Sequence, residues 1–471
     1  MLATSEVTHD SRVLREAGAL ARLGFQSVYP GQGLHGNDPG GVGSPLPNSG
    51  QGLSVKILYL SQYFPPEIGA TQTRAYEMAT GLIRAGHQVT ILTEVPNHPE
   101  GIIRPEYRGR LWAREDLNGM EVIRVWVKAS LTKNLSTRLA FYLSYMINAT
   151  LAGLLLARGS HDVVFASSPP LFVGGAALAL SRLRRLPLVF EVRDLWPQSA
   201  IELGEIKNPW AIRLAERLES LCYQRSARLV AVTQGILQEL LRRGYPEGKL
   251  TYIPNGANTA LYQPRPKDPE IVERLGLEGK FVAIYTGLHG LIHGMEAIIE
   301  SARTLRDQRD LLFLLVGGGV RKSELKAMAE GYGLENVLFL PEQPESELPR
   351  YLSCADIGLA TTKRLKLCEG TLPVKMFSYM ACGLPVILAV KGEAREVLEE
   401  ARAGIPVEPE DPGQLAQAIM RLKEHPLLRE EFGRNGRDFV TKRYDRRKLA
   451  TELEGVLREV TEEVRSGKDR S

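Results

Sequence analysis

Apolar positions along this chain recur in two rhythms, and their alternation sets the reading. Residues 56–60 (KILYL) form a short apolar run, followed by a Pro-Pro turn and the pair Gly69-Ala70. Ala75, Met78, Ala79, Leu82 and Ile83 then repeat at helical spacing up to Gly86, and a β-branched run, VTILT, comes next. Strand, loop, helix, strand is the unit that builds a parallel sheet. The loop falls at the carboxyl end of the first strand, where open α/β sheets bind ligands and the following helix offers its positive N-terminus. By position alone Gly69 is either a turn glycine or part of a ligand loop.

The same grammar continues. Strands are expected at 120–127, 161–167, 187–192, 229–233 and 250–254, with helices at 171–183, 210–225 and 234–243. It restarts with strands at 280–286, 311–316, 337–339, 357–360 and 386–390. The matching helices are 293–305, 321–330, 345–353, one starting near Pro373, then 411–423, 425–438 and 446–465. This predicts α/β architecture in two domains, 54–256 and 257–445, with a C-terminal helix and charged, fraying tail at 446–471.

Upstream, residues 11–28 run parallel to 73–90 at a constant offset of 62, with Arg12 matching Arg74 and Gly24 matching Gly86. This echo lacks the strand and loop that precede the later copy, and residues 30–52 turn to Gly, Pro, Asn and Ser, a linker composition. Residues 1–53 are therefore read as an extension, and removing residues 1–50 is expected to leave activity intact.

Composition narrows the class. A net charge of +4 is too weak to imply nucleic acid but suits anionic ligands or an anionic membrane face. The four cysteines, Cys222, Cys354, Cys368 and Cys382, contain no C-x-x-C pair and read as reduced thiols of a cytoplasmic protein. The first residues have no apolar core, so no secretory signal is expected. The least polar window, Leu139 to Ala157, is diluted by Tyr142, Ser144, Asn148 and Thr150, which favours a buried or interface-lying helix over a membrane span. Eight basic and four acidic residues lie between Arg104 and Arg138. That is the pattern of a peripheral membrane contact, or of a solvated loop before a core helix.

Chemistry-bearing residues gather after strands. Arg193-Asp194 follows a buried strand, a costly place for charge unless it is partnered or used. Gly317-Gly318-Gly319 fits neither a Walker loop nor a dinucleotide fingerprint. Lys363, Arg364, Lys366, Glu369, Lys375 and Ser378 form the densest polar stretch. No D-x-D pair stands in a metal-binding context, so a metal-independent site with no cofactor is expected.

In order along the chain stand YFPPE-GA, GHQVTILT, Asn97-Pro99-Gly101, SSPP, RDLWP, YTG, VGGG, LP-x-K-x-F-x-YMACG-x-P and Gly392-Glu393. On these the chain resembles the retaining glycosyltransferases of family 4, the group-1 enzymes, over residues 54 to about 460. Within them it is most similar to the subgroup of the bacterial N-acetyl-fucosaminyltransferase of surface polysaccharide synthesis. The resemblance implies the GT-B fold, two Rossmann-like domains facing across a cleft, with the acceptor on the first and the nucleotide sugar on the second. It assigns Gly69 and Ala70 to the loop approaching donor phosphates and acceptor, and Arg193 and Asp194 to the transferring sugar. Gly287 and Gly317, Gly318 and Gly319 would border the nucleotide, with Glu335, Asn336, Val337 and Leu340 near the base. Lys375 would face the diphosphate, and Glu393 and Ala394 the sugar or ribose. Two departures stand out. Ser378 replaces the ribose-clasping glutamate, and Leu288 and His293 replace the usual Arg and Lys, so Arg364 or Lys366 is expected to help hold phosphate.

The implied reaction moves a sugar, an N-acetylated or deoxy hexose, from a UDP-sugar to a polyprenyl-diphosphate-linked or glycan acceptor at the cytoplasmic face of the inner membrane. With no partnered nucleophile in view, front-face attack is the expected route to retention. An epimerase of UDP-N-acetylglucosamine and a non-catalytic partner of a polysaccharide assembly complex are the alternative readings.

Overall fold

The protein is described here as a computed structural model covering residues 54–467, apart from 68, 98–100, 132–134, 203 and 205. The echo at 11–28, its linker and Pro99 lie outside the described residues.

The first sheet has eight strands: β1 (Lys56–Leu60), β2 (Gln88–Glu94), β3 (Trp112–Leu117), β4 (Met120–Val125), β5 (Val163–Ser168), β6 (Leu188–Val192), β7 (Arg228–Ala231) and β8 (Leu250–Tyr252). Their order is β3-β4-β2-β1-β5-β6-β7-β8, all parallel except β3, which pairs antiparallel with β4. Strand β3 is not among the strands expected from the sequence. The second sheet contains β9 (Phe281–Thr286), β10 (Leu311–Val316), β11 (Val337–Leu340), β12 (Ile357–Thr361), β13 (Val386–Ala389) and β14 (Gly404–Pro406). It runs β11-β10-β9-β12-β13-β14, wholly parallel. Central strands such as β5 and β9 are buried at every position, as double coverage by helices requires.

The order in which strands are added reverses between β1 and β5 in the first sheet and between β9 and β12 in the second. A crevice opens at such switch points outside the carboxyl ends of the strands. The loops after β1 and β5, and those after β9 and β12, therefore occupy the two places where a ligand has room.

One side of the first sheet is covered by the helices Leu135–Leu155, Phe172–Arg184 and Pro209–Arg225. The other side is covered by Ala70–Arg84 and by the last helix, Arg446–Arg465, which returns from the second domain. Leu449, Leu453, Leu457 and Val460 of this helix are buried against the first domain. Its end is held by Arg228–Glu463 at 2.5 Å and Arg465–Asp162 at 2.8 Å, so it does not fray before Arg465. The chain thus crosses between domains twice. The crossings pair through Ala257 N–H to Tyr444 O and Arg446 N–H to Ala257 O, both 3.0 Å. Gly256 is required at this point, since a Cβ there would stand 2.1 Å from Tyr444 O.

Candidate active site

In the first domain the loop after β1 is pinned from beneath. Gln62 Nε2 and Asn97 Nδ2 donate to the two oxygens of Glu94 at 2.7 and 2.8 Å, and Asn97 N–H donates to Glu67 at 2.7 Å. All four residues are buried. Burial and the adjacent Glu67 push the Glu94 carboxyl well above the usual range. This network ties together the loops after β1 and β2, and nothing in local sequence pattern announces it.

Gly69 caps the Ala70–Arg84 helix, which has no acidic residue in its first turn. A Cβ on Gly69 would meet the Gln72 side chain at 2.6 Å, so the space it leaves is filled by Gln72. Ala70 is exposed, and its carbonyl accepts from Arg193 Nη2 at 3.4 Å. Arg193 and Ala70 are therefore brought together at the carboxyl edge. Arg193 and Asp194 do not pair with each other. Arg193 Nε and Nη1 are buried without a hydrogen-bond partner. Burial lowers the guanidinium pKa to about 10, with Glu191 opposing the shift. Asp194 accepts from Ser199 Oγ at 2.8 Å, and burial raises its pKa. Beneath them Arg74 is clamped on Glu191 at 2.7 Å and donates to the carbonyls of Ile253 and Pro254 at 2.9 and 2.7 Å. Ser167 Oγ also donates to Glu191, at 2.6 Å, so this serine serves the ion pair.

In the second domain the loops after β9 and β10 lie in backbone contact. A Cβ on Gly317 would stand 1.9 Å from Gly287 O, and one on Gly319 would stand 2.5 Å from His289 O. Only glycine allows this approach. His289 N–H donates to Gly318 O at 2.7 Å. Lys375 reaches the same place from the helix Val374–Ala381. A Cβ on Gly287 would be 3.5 Å from its Nζ, which stands 3.3 Å from the centroid of the Tyr285 ring. Lys375 Nζ is buried and has no hydrogen-bond partner, and burial holds its pKa well below the ordinary value. His289, fully buried, and His293 flank it, with imidazole pKa values lowered to about 4 by burial first and by Lys375 among the nearby cations. Both ring nitrogens of His289 and Nδ1 of His293 lack partners. An ammonium over a ring face and two neutral imidazoles thus stand beside the glycine loops, with no anion among them.

Other expected site residues fall elsewhere. Arg364 is turned aside, its guanidinium donating to Pro409 O at 3.1 Å and its N–H to Glu410 at 2.9 Å. Glu335, Asn336 and Val337 lie at the amino end of β11, the wrong edge of the sheet for a ligand, and Asn336 is spent on Ala302 O at 2.9 Å. Leu340 is at the carboxyl end, where Lys322 Nζ bridges its carbonyl to that of Gly317 at 2.6 and 2.7 Å. Ser378 is nearly buried, one turn beyond Lys375. Glu393 and Ala394 open the helix Glu393–Ala401, and Ala394 is fully buried. Glu393 reaches the first domain, accepting from Tyr252 OH at 3.1 Å and Gly235 N–H at 3.3 Å. Glu345 makes a second crossing, accepting from Thr73 Oγ1 at 2.7 Å while Arg446 bridges it to Glu77. Both crossings escaped sequence reasoning, because pairing across 272 and 158 positions leaves no local signal. Among the described residues no group of three His, Cys, Asp or Glu side chains is placed to hold a metal ion.

With this geometry established, comparison with known proteins defines the class. The family described as "Glycosyl transferase 4-like domain" matches residues 69–256, and "Glycosyl transferases group 1" matches residues 267–439. The chain belongs to the group 1 glycosyltransferases, and its two parallel sheets form the GT-B fold. It is 24% identical over 421 residues to WcaI of Escherichia coli K12, described as a colanic acid biosynthesis glycosyl transferase, covering 87% of this chain and all of that one. Sucrose-phosphate synthase from Thermosynechococcus elongatus shares the fold with a TM-score of 0.69 at 18% identity, over 86% of this chain and 99% of that one. Anabaena HepE, solved with UDP and glucose, superposes with a TM-score of 0.64 at 18% identity and the same coverage.

Proposed function

We propose that the protein transfers a sugar with retention from a UDP-sugar to a lipid-linked or glycan acceptor in surface polysaccharide synthesis, at the cytoplasmic face of the membrane. The observation that carries the reading is Lys375, a buried ammonium with no anionic partner, beside the glycine loops. A desolvated cation is expensive unless an anion arrives, and the diphosphate of a nucleotide sugar supplies one. WcaI's description and the UDP bound to HepE support the process and the donor class.

In this reading the bond from the anomeric carbon to the diphosphate oxygen breaks and the acceptor oxygen bonds to that carbon on the same face. The acceptor hydroxyl proton passes to the departing phosphate. Lys375, His289 and His293 stabilise the charge that grows on the leaving group, without a metal. Arg193 and Asp194 orient the sugar from the opposite wall, and closure excludes the water that competes with the acceptor. Glu393 serves domain contact in the described arrangement and turns to the sugar only when that contact is released. A panel of nucleotide sugars incubated with polyprenyl-diphosphate sugars and membranes, with and without EDTA, tests the reading. Product formation from one UDP-sugar with retained anomeric configuration and indifference to EDTA is expected. UDP-sugar hydrolysis or epimerisation without acceptor transfer overturns it.

A further inference from the structure

The three helices on one side of the first sheet expose an unusual outer surface. The Leu135–Leu155 helix buries Tyr145, Ala149 and Ala152 and turns Ile147 (55% exposed), Leu151 (49%) and Leu155 (76%) outward. These positions recur every four residues, and Arg138 is the helix's sole charged residue. The Pro209–Arg225 helix does the same. It buries Glu219, Cys222 and Tyr223 and presents Trp210 (76% exposed), Leu214 (71%) and Leu221 outward. Arg213, Arg217 and Arg225 are exposed between and beside them, with Arg213 lying 5.5 Å over the Trp210 ring. No acidic residue falls within that stripe, since Glu216 sits on the flank and Glu219 faces inward onto Arg243.

The two stripes flank one helix. The helix between them, Phe172–Arg184, is built from small residues, and its flanking helices close over it. A Cβ on Gly175 would lie 2.5 Å from Met146 of one and 3.7 Å from Leu218 of the other. Its own end adds exposed Leu183 between Arg182 and Arg185. Large apolar side chains on water-facing helices are disfavoured in a surface that meets only solvent. Leucine and tryptophan interleaved with arginine, free of acid, match an interface whose depth is apolar and whose rim is anionic. Indole in particular settles at the headgroup level of a bilayer. None of the described helices is long and apolar enough to cross a membrane, so the match is to lying on one.

We infer that the face formed by the helices Leu135–Leu155, Phe172–Arg184 and Pro209–Arg225 docks on an anionic lipid bilayer. Sequence placed a membrane contact in the basic stretch 104–138 beside the apolar window 139–157; this face includes the helix of that window and adds the helices Phe172–Arg184 and Pro209–Arg225. The three helices begin at the carboxyl edge of the sheet, so a bilayer on this face runs beside the mouth of the cleft. The inference stands whether or not the acceptor is a lipid.

Sedimentation of the full chain with vesicles tests it. The protein is expected to pellet with phosphatidylethanolamine–phosphatidylglycerol vesicles, to stay in solution with phosphatidylcholine alone, and to be released by salt. Arg217→Gln is expected to weaken anionic-vesicle binding roughly fivefold, the effect of one basic side chain at an anionic surface. Trp210→Ser and Leu151→Ser are expected to weaken anionic-vesicle binding as well, while leaving its dependence on salt unchanged. Unchanged melting temperature and UDP binding in each variant distinguish docking from folding. Wild-type protein that ignores anionic vesicles overturns the inference, as do variants that bind like wild type. So does a lipid-free dimer that Trp210→Ser disperses, because a second copy would then be the occupant.

Discussion

Lys375 concentrates the residue-scale physics of this protein. Its amine is desolvated, unpaired, and set against only a ring face, so burial favours the neutral form and holds the pKa well below the ordinary lysine value. Binding a diphosphate reverses that preference. Calorimetry of UDP binding in buffers of differing ionisation enthalpy, at a pH between the depressed pKa and the ordinary lysine value, is expected to show proton uptake that Lys375→Ala abolishes. Turnover in Lys375→Ala and Asp194→Asn is expected to fall about tenfold or more with the fold intact, the scale of one positioned electrostatic or proton-handling group. Wild-type rates in both would remove them from the machinery. The histidines carry a separate signature. His161, His289 and His293 all have folded pKa values lowered to about 4, below the unfolded value, so the unfolded chain binds more protons between the two. Their contribution to stability is present above the unfolded pKa and is lost as pH falls toward 4. Thermal melts are expected to drop across that window, and His293→Gln to flatten part of the slope. An unchanged slope counts against the burial account of His293.

At the scale of elements, much was legible because periodicity is local. The expected helices and most strands fall within a few residues of their places, since each needs only its own apolar spacing. Strand β3 was not, because WAREDL on a sheet edge alternates weakly and carries three charges. The nucleotide-side loops were readable as glycine turns. What was not readable was which glycines touch which loop, or that Glu335 to Val337 point to the far edge, since both depend on strand polarity in three dimensions. Helix contacts share this limit. Gly81 of the Ala70–Arg84 helix sits against Ala450, where a Cβ would approach to 2.4 Å. Alanine at 81 gains helix propensity worth up to about 1 kcal/mol but forces the helices apart at a cost of roughly 1–3 kcal/mol. Gly81→Ala is therefore expected to destabilise the protein in denaturant melts, and Ala450→Gly in the same chain to restore it. A stabilised single variant would show the interface to be loose.

The whole molecule is two sheets joined by two strands of chain that hydrogen-bond to each other, with Glu345 and Glu393 reaching across the cleft. The double crossing makes a hinge with one backbone register. The groups that meet across it stand 272 and 158 positions apart in the pairs Thr73–Glu345 and Gly235–Glu393, so domain order was legible and domain contact was not. Deleting residues 446–471 is expected to abolish soluble expression or to leave a first domain that binds apolar dyes, measured by dye fluorescence and proteolysis. A monomeric, protease-resistant truncation would mean the last helix only decorates that domain.

The returning helix also orders events in time. One wall of the first domain is supplied by chain made after the second domain, so that domain waits, with Leu82, Ile91 and their neighbours uncovered, until residues 446–465 have been made. The second domain, finished earlier, can close its own core first. During synthesis the first domain is thus the half that depends on a holding partner or on speed, and the time taken to make residues 257–445 sets how long it is exposed.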